Sequence, residues 1–205
     1  MSSAAVTAIT DVVLALEAML LGLMLMRLAC ARFSALWHWR LALAAMGLGA
    51  LIGAIHHGWF PAPSVLGYWM ERVDWIVLGA MTYFFLLAAA AQFFPASLLG
   101  WVQLLGVLQF LGNTLLVLFI DDFLVVTLNY APVMLLLLAA NTRGLRTGTG
   151  SWPMVFGLLL LLVAAGVQAS GLDAFVPLDH NGLYHLVSMA GVWCLFLAGK
   201  QLKRA

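Results

Sequence analysis

The sequence contains little charge. Asp, Glu, Lys and Arg make up 8% of its 205 residues, whereas hydrophobic residues make up 65% and the mean hydropathy is +1.08. A soluble globular domain carries roughly a quarter charged residues, so this composition excludes one and predicts an integral membrane protein. The net charge of +1 says nothing about nucleic acid, but no basic cluster is large enough to track phosphates, so nucleic acid is not an expected partner. Membrane lipids are the partners to expect.

Cysteine is also scarce. Cys30 and Cys194 are the two in the sequence, and without metal-ligand spacing they predict neither a disulfide framework nor a zinc knuckle. A signal peptide is not expected, because the first apolar segment has no basic region before it and begins with Asp11. We therefore expect this segment to be a first transmembrane helix.

Seven apolar segments are long enough to cross a bilayer, which takes about 20 residues in a helix. The predicted spans are Thr7–Leu28, Leu36–His57, Trp69–Phe94, Leu98–Ile120, Phe123–Ala140, Trp152–Ser170 and Asn181–Leu202. The predicted fold class is therefore all-α, a single seven-helix transmembrane bundle over residues 1–205. The turn between the fourth and fifth spans is so short that these two helices must be antiparallel neighbours.

Charge is sorted between the two ends of these segments. All eight acidic residues fall at one end, the acidic end, and eight of the nine Lys and Arg fall at the other, the basic end. Because positively charged loops stay in the cytoplasm, we predict that the N-terminus lies outside and the C-terminus inside. Tryptophans would mark both interfaces, with Trp37, Trp39, Trp101 and Trp152 inside and Trp59, Trp69 and Trp75 outside.

Four of the five histidines lie at the acidic end, namely His56, His57, His180 and His185. Imidazoles from two helices and a carboxylate from a third would form a metal site with an open position for water. We favour His57 over His56, about 100° away on the helix, because Gly53 one turn earlier permits close approach. His180 and His185, five residues apart, differ by about 140° if both are helical. His180 can therefore join the site only from a non-helical turn.

The pattern resembles the alkaline ceramidase and progestin/adiponectin-receptor superfamily of seven-helix, zinc-dependent membrane hydrolases. The resemblance rests on Gly53-x-x-x-His57 at the end of the second span, Asp74 early in the third, and a histidine motif opening the seventh. It covers the whole topology and suggests a divergent bacterial-type member in the inner membrane. It implies a zinc ion and hydrolysis of a lipid amide or ester at the outer face.

The resemblance also implies roles for individual residues. His57 and His185 match two zinc ligands and Asp74 matches the family's acid, which would accept a proton from zinc-bound water or orient His57. Tyr184 or Tyr130 would donate a hydrogen bond to the developing oxyanion.

Two positions depart from the family's pattern. Gly53 stands in place of a serine, and Asn181 stands where the first histidine of the final pair belongs. A helix start shifted by one residue would restore His180 as the third ligand.

Further polar residues lie within the spans. Glu17 is an intramembrane carboxylate, a costly feature that usually faces a polar interior, and it would bind a cation, a proton or Arg72. Gln109 and Asn113 share a face of the fourth helix and predict hydrogen bonds between helices, although they could line the same cavity.

Two other functions remain open. A receptor-like or accessory protein that has lost the metal is favoured by Asn181 and Gly53. A b-type haem protein would use His57 and His185 as axial ligands.

Overall fold

The computed structural model describes residues 2–60, 63–171, 173 and 177–202. Within them the chain forms seven α-helices: α1 (Ser3–Met26), α2 (Ala35–Trp59), α3 (Val65–Phe93), α4 (Ala96–Phe119), α5 (Leu124–Thr147), α6 (Trp152–Ser170) and α7 (His180–Leu202). Each is long and apolar enough to cross a membrane, which confirms the predicted fold class. Most boundaries agree within about a turn. However, α5 extends about two turns past the predicted end, and α7 begins at His180 rather than Asn181.

Short polar residues and glycines determine where several helices begin and end. Serine side chains accept a backbone N–H from the first turn of four helices, namely Ser2, Ser34, Ser64 and Ser151. The helices α5 and α6 end at Gly148 and Gly171, whose φ angles of 79° and 60° are left-handed and favour glycine. These residues therefore determine four of the starts and two of the ends.

Six helices form a closed ring, and one helix, α4, packs outside it. Around the ring the order is α1, α2, α3, α5, α6 and α7, with α7 returning to α1. The remaining helix, α4, packs against α3 and α5, as expected for a neighbour joined to α5 by a short turn. The ring leaves an interior that side chains from six helices can reach.

Two tryptophans predicted to mark the membrane interfaces lie in the core instead. Trp39 is 1% exposed and Trp75 is 5% exposed. The indole N–H of Trp39 donates to the carbonyl of Leu195 at 3.1 Å, and Trp75 packs against Phe123. Their burial has a physical reason, since each finds partners for its large ring on a neighbouring helix. The prediction was wrong for these two residues.

Arg72 joins α3 to the turn between α4 and α5. Its side chain is 1% exposed, forms ion pairs with Glu71 and Asp121, and lies 4.4 Å from the ring centres of both Tyr68 and Trp75. Arg72 therefore forms these ion pairs from a buried position. A guanidinium held by two carboxylates and two rings is well compensated.

Amides on α4 connect it to its two neighbours. The side-chain N–H of Gln109 donates to the carbonyl and side-chain oxygens of Asn129, both at 3.0 Å. Asn113 donates to the carbonyl of Trp75 at 3.5 Å. The predicted role of these two residues in hydrogen bonding between helices is confirmed.

We expect Gly47→Ala to destabilise the bundle, because a Cβ there would lie 3.2 Å from the backbone N of Met19 and 3.3 Å from the backbone O of Ala15. These backbone atoms cannot yield as a side chain would, and overpacking costs about 1–3 kcal/mol. Gly100→Ala is the matched control, since nothing lies within 4 Å of its added Cβ and alanine favours a helix. Thermal unfolding in detergent should show a lower Tm for Gly47→Ala alone. Equal Tm values would contradict this packing.

Candidate functional site

The ring encloses a cavity of about 160 Å³ near the acidic end. Its polar lining residues are Asp11, His56, His57, Glu71, Asp74, Thr127, Tyr130, Gln168, Asn181, Tyr184, His185 and Ser188. Among the described residues, neither Lys nor Arg lines this cavity. Glu71 is paired with Arg72, which lies outside the lining, whereas Asp11 and Asp74 have no Lys or Arg partner among the described residues.

Two glycines on α2 make room for two of these carboxylates. A Cβ added at Gly53 would lie 3.2 Å from Asp11 Oδ2, and one added at Gly49 would lie 2.9 Å from Asp74 Oδ1. The two glycines are one turn apart, about 6 Å along the helix axis. Gly53 therefore accommodates the carboxylate of α1.

Asp11 is the residue on which three helices converge. Its side chain is 4% exposed, with Oδ1 3.0 Å from His185 Nε2 on α7 and Oδ2 3.9 Å from His57 Nε2 on α2. Within the described residues, Asp11 Oδ2 has no hydrogen-bond partner. Sequence reasoning treated Asp11 only as a topology marker. The rule that intramembrane carboxylates face a polar interior was applied to Glu17 and could have been applied here.

Thr10 fixes the other side of the His185 ring. Its hydroxyl oxygen lies 2.9 Å from the carbonyl oxygen of Thr7 and 3.0 Å from His185 Nδ1. A hydroxyl has one hydrogen to donate. If the Thr10 hydroxyl donates this hydrogen to the Thr7 carbonyl, His185 Nδ1 must carry a hydrogen and donate it to Thr10. In that case a cation or a shared proton must lie between His185 Nε2 and Asp11. If it goes to Nδ1, the Nε2–H group donates to Asp11 directly.

Asp179 ties the start of α7 to α1. Its Oδ1 accepts the backbone N–H of Gly182 at 2.8 Å and the hydroxyl of Thr7 at 3.0 Å. The first contact caps α7, and the second fixes that cap against the helix that carries Asp11. Asp179 therefore helps to determine where His185 lies.

The non-helical turn that would bring His180 into the site does not occur. His180 is the first helical residue, its Nδ1 lies 2.7 Å from Asp173 Oδ1, and it is not among the residues lining the cavity. Asn181 lines the cavity, and its side-chain oxygen accepts a hydrogen bond from Gln168 at 2.7 Å. His180 and His185 diverge because both belong to the helix and are five residues apart.

The other predicted site residues divide into two groups. His56, Asp74, Tyr130 and Tyr184 line the cavity with His57 and His185, whereas Glu17 and Asn113 do not. Arg72, one partner suggested for Glu17, is engaged by Glu71 and Asp121.

A metal ion would require a small adjustment of the side chains. In the part of the chain that the structure describes, no group of three or more His, Cys, Asp or Glu is arranged to hold one as it stands. Neighbouring ligand atoms on tetrahedral zinc lie about 3.3 Å apart, given Zn–N bonds of about 2.0 Å. His185 Nε2 lies 3.0 Å from Asp11 Oδ1, within this spacing, whereas His57 Nε2 lies 3.9 Å from Asp11 Oδ2, which is longer. Two imidazoles and a carboxylate are a suitable donor set for zinc, so these residues fit the ion in their chemistry, and His57 would have to move closer to complete a site.

Together, the seven apolar helices and the enclosed polar cavity define a multi-pass membrane protein of helical-bundle class. The chain belongs to a family of unknown function (DUF6962), which it matches over residues 6–204. No curated protein and no solved structure matches it.

Hydrogen bonds from the ring and then from the backbone N–H of His180 lower the pKa of the Asp173 carboxyl below its ordinary value. A carboxyl whose pKa is lower in the folded state stabilises the fold above its unfolded pKa of about 3.9, and this contribution is lost as pH falls through the folded pKa. In an NMR titration, His180→Ala should raise the pKa of Asp173. The rise should be incomplete, because the backbone bond at 3.0 Å remains. An unchanged pKa would contradict the pairing.

Proposed function

We propose that this protein is a metal-dependent membrane hydrolase in which His57, His185 and Asp11 hold a zinc ion. The substrate would be a lipid amide or ester entering at the acidic end. One observation carries this proposal: the Nε2 atoms of His57 and His185, on two different helices, both face the buried carboxylate of Asp11. This set replaces His180 with Asp11 as the third ligand.

The charge balance of the cavity supports a bound cation. Asp11, Glu71 and Asp74 line it, and the buried atoms Asp11 Oδ2 and Asp74 Oδ1 have no hydrogen-bond partner in the described chain. The nearby cation, Arg72, is already engaged by Glu71 and Asp121. A carboxylate buried without compensation is costly, and a metal ion would remove much of this cost.

The surroundings of His185 also suit a metal ligand. Histidines that bind metals almost always donate their other ring N–H to a nearby acceptor, which fixes the tautomer. Thr10 Oγ1, 3.0 Å from His185 Nδ1, can be this acceptor while it donates to the carbonyl of Thr7. The arrangement leaves Nε2 free to coordinate.

Other residues of the cavity can carry out the remaining steps. Bound zinc would lower the pKa of a bound water and polarise a carbonyl group. Asp74, in the same cavity, can accept the proton of an attacking water, and Tyr184 or Tyr130 can donate a hydrogen bond to the carbonyl oxygen of the substrate. The apolar lining formed by Leu78, Met81 and Leu161 suits an acyl chain.

This geometry favours a metal hydrolase over a haem protein. Two axial histidines face each other across the plane of a macrocycle, whereas these two imidazoles face the same carboxylate. A metal-free accessory protein is the second candidate, because Asn181, where the ceramidase-like pattern has the first histidine of its final pair, is bonded to Gln168.

Elemental analysis of purified variants tests the ligand set. We expect about one zinc ion per chain in the wild type and in His180→Ala, and loss of zinc in Asp11→Ala, His57→Ala and His185→Ala. Circular dichroism and gel filtration would establish that each variant is folded. A wild type that stays metal-free after incubation with zinc would favour the accessory protein, and loss of zinc in His180→Ala would refute the Asp11 set.

The role of Asp74 is tested separately by activity. Fatty-acid release from a panel of N-acyl and O-acyl lipids should fall by about 10²–10⁴-fold in Asp74→Asn, the usual contribution of general acid–base catalysis, while zinc content stays unchanged. A zinc-loaded wild type that releases no fatty acid from any lipid of the panel would contradict the hydrolase proposal. A fully active Asp74→Asn would remove this residue from the mechanism.

A further inference from the structure

The cavity around Asp11 becomes apolar with depth. At the acidic end it is lined by the carboxylates, histidines and amides described above. Deeper in the ring its apolar walls include Met46, Met81 and Leu161. These lie seven residues, or about 10 Å along a helix, from three lining residues of the acidic end, namely Gly53, Asp74 and Gln168. An occupant with a polar end and an apolar tail matches this gradient.

The deeper part of the cavity carries no full charge. Tyr130 and Ser188 add hydroxyl groups to its wall, but among the described residues no Asp, Glu, Lys or Arg lies there. We call this part, lined by Met46, Met81 and Leu161, the blind pocket.

The blind pocket is closed at its inner end. On each of the six ring helices, the residue one turn beyond the deepest lining residue is fully buried and does not line the cavity. These six residues belong to the hydrophobic core: Ala18, Leu43, Phe85, Met134, Leu158 and Val192. At the acidic end, in contrast, the side chains of His57 and Glu71 are 34% and 30% exposed. The cavity therefore has its mouth at the acidic end and its floor inside the bundle.

We propose that the blind pocket selects a substrate with a short acyl chain, close to octanoyl in length. This inference rests on the proposed hydrolase function, in which the carbonyl group of the substrate lies beside His57, His185 and Asp11. From there the acyl chain extends toward the floor, while the headgroup stays at the exposed mouth. Hydrolysis adds one water across the acyl bond and releases the short fatty acid together with the amine or alcohol of the headgroup.

The depth of the pocket sets the chain length. An extended chain advances about 1.3 Å per carbon, because C–C bonds of about 1.5 Å zigzag along it, so about eight carbons span a depth of about 10 Å. A longer chain would have to displace the fully buried residues of the floor. Overpacking of a filled core is unfavourable, so a palmitoyl chain should be excluded.

A series of acyl lengths on one headgroup tests this proposal. The zinc-loaded wild type in a maltoside detergent is given hexanoyl, octanoyl, dodecanoyl and palmitoyl forms of the same N-acyl or O-acyl lipid. We expect the octanoyl form to be hydrolysed fastest. The palmitoyl form should have a kcat/KM about tenfold lower or less, as overpacking implies.

Variants of the floor should move this preference. Met46→Ala and Met81→Ala each lengthen the pocket, so the dodecanoyl form should become the fastest substrate. Met154→Ala is the matched control, since Met154 is buried in the same hydrophobic core but does not line the cavity. It should keep the octanoyl preference. Thermal unfolding would establish that each variant is folded.

A binding measurement separates this inference from the hydrolase proposal. Chelator-treated protein, which cannot use zinc to hydrolyse the probe, is mixed with equal amounts of N-methyl octanamide and N-methyl palmitamide and observed by native mass spectrometry. The octanamide should remain bound at collision energies that remove the palmitamide. Selective retention without hydrolysis of any lipid would support the pocket and remove the hydrolase. Equal retention of both amides, equal kcat/KM for all chain lengths, or the same shift in Met154→Ala would overturn the pocket.

Discussion

The carboxylate of Asp11 is the constraint around which the acidic end is arranged. A charge buried in a membrane-spanning helix is tolerated only when its surroundings compensate it. Gly53 clears the space for it, and His57 and His185 face its two oxygens. Thr10 orients His185 from the far side of its ring, and Asp179 fixes the start of the helix that carries it. These contacts bring α1, α2 and α7 together at one point.

Arg72 is a buried charge that its surroundings fully compensate, unlike Asp11. Its guanidinium has two carboxylates and two aromatic rings around it, and it does not line the cavity. With Arg72 engaged in this way, Asp11 and Asp74 are left without a Lys or Arg partner in the described chain. The difference explains why we assign a structural role to the arginine and a ligand-binding role to the acids.

The sequence alone predicted the helices better than the site. Apolar length located seven spans, and Gln109 and Asn113 were recognised as bonding between helices. His57 and His185 were also identified. Asp11 was missed because a membrane helix is apolar on nearly every face, so periodicity does not show which side of α1 turns inward. Whether His180 reaches the cavity depends on the residue at which α7 begins. Asp179 belongs to a residue type that favours N-caps, and it could have indicated that α7 begins at His180.

The central claim is that a metal ion lies between Asp11, His57 and His185, and anomalous diffraction tests it most directly. Crystals grown with zinc would be measured on both sides of the zinc absorption edge. Our account predicts an anomalous peak about 2.0–2.2 Å from both Nε2 atoms and from a carboxylate oxygen of Asp11. A peak beside His180 and Asp173 instead, or no peak near Asp11, would contradict it.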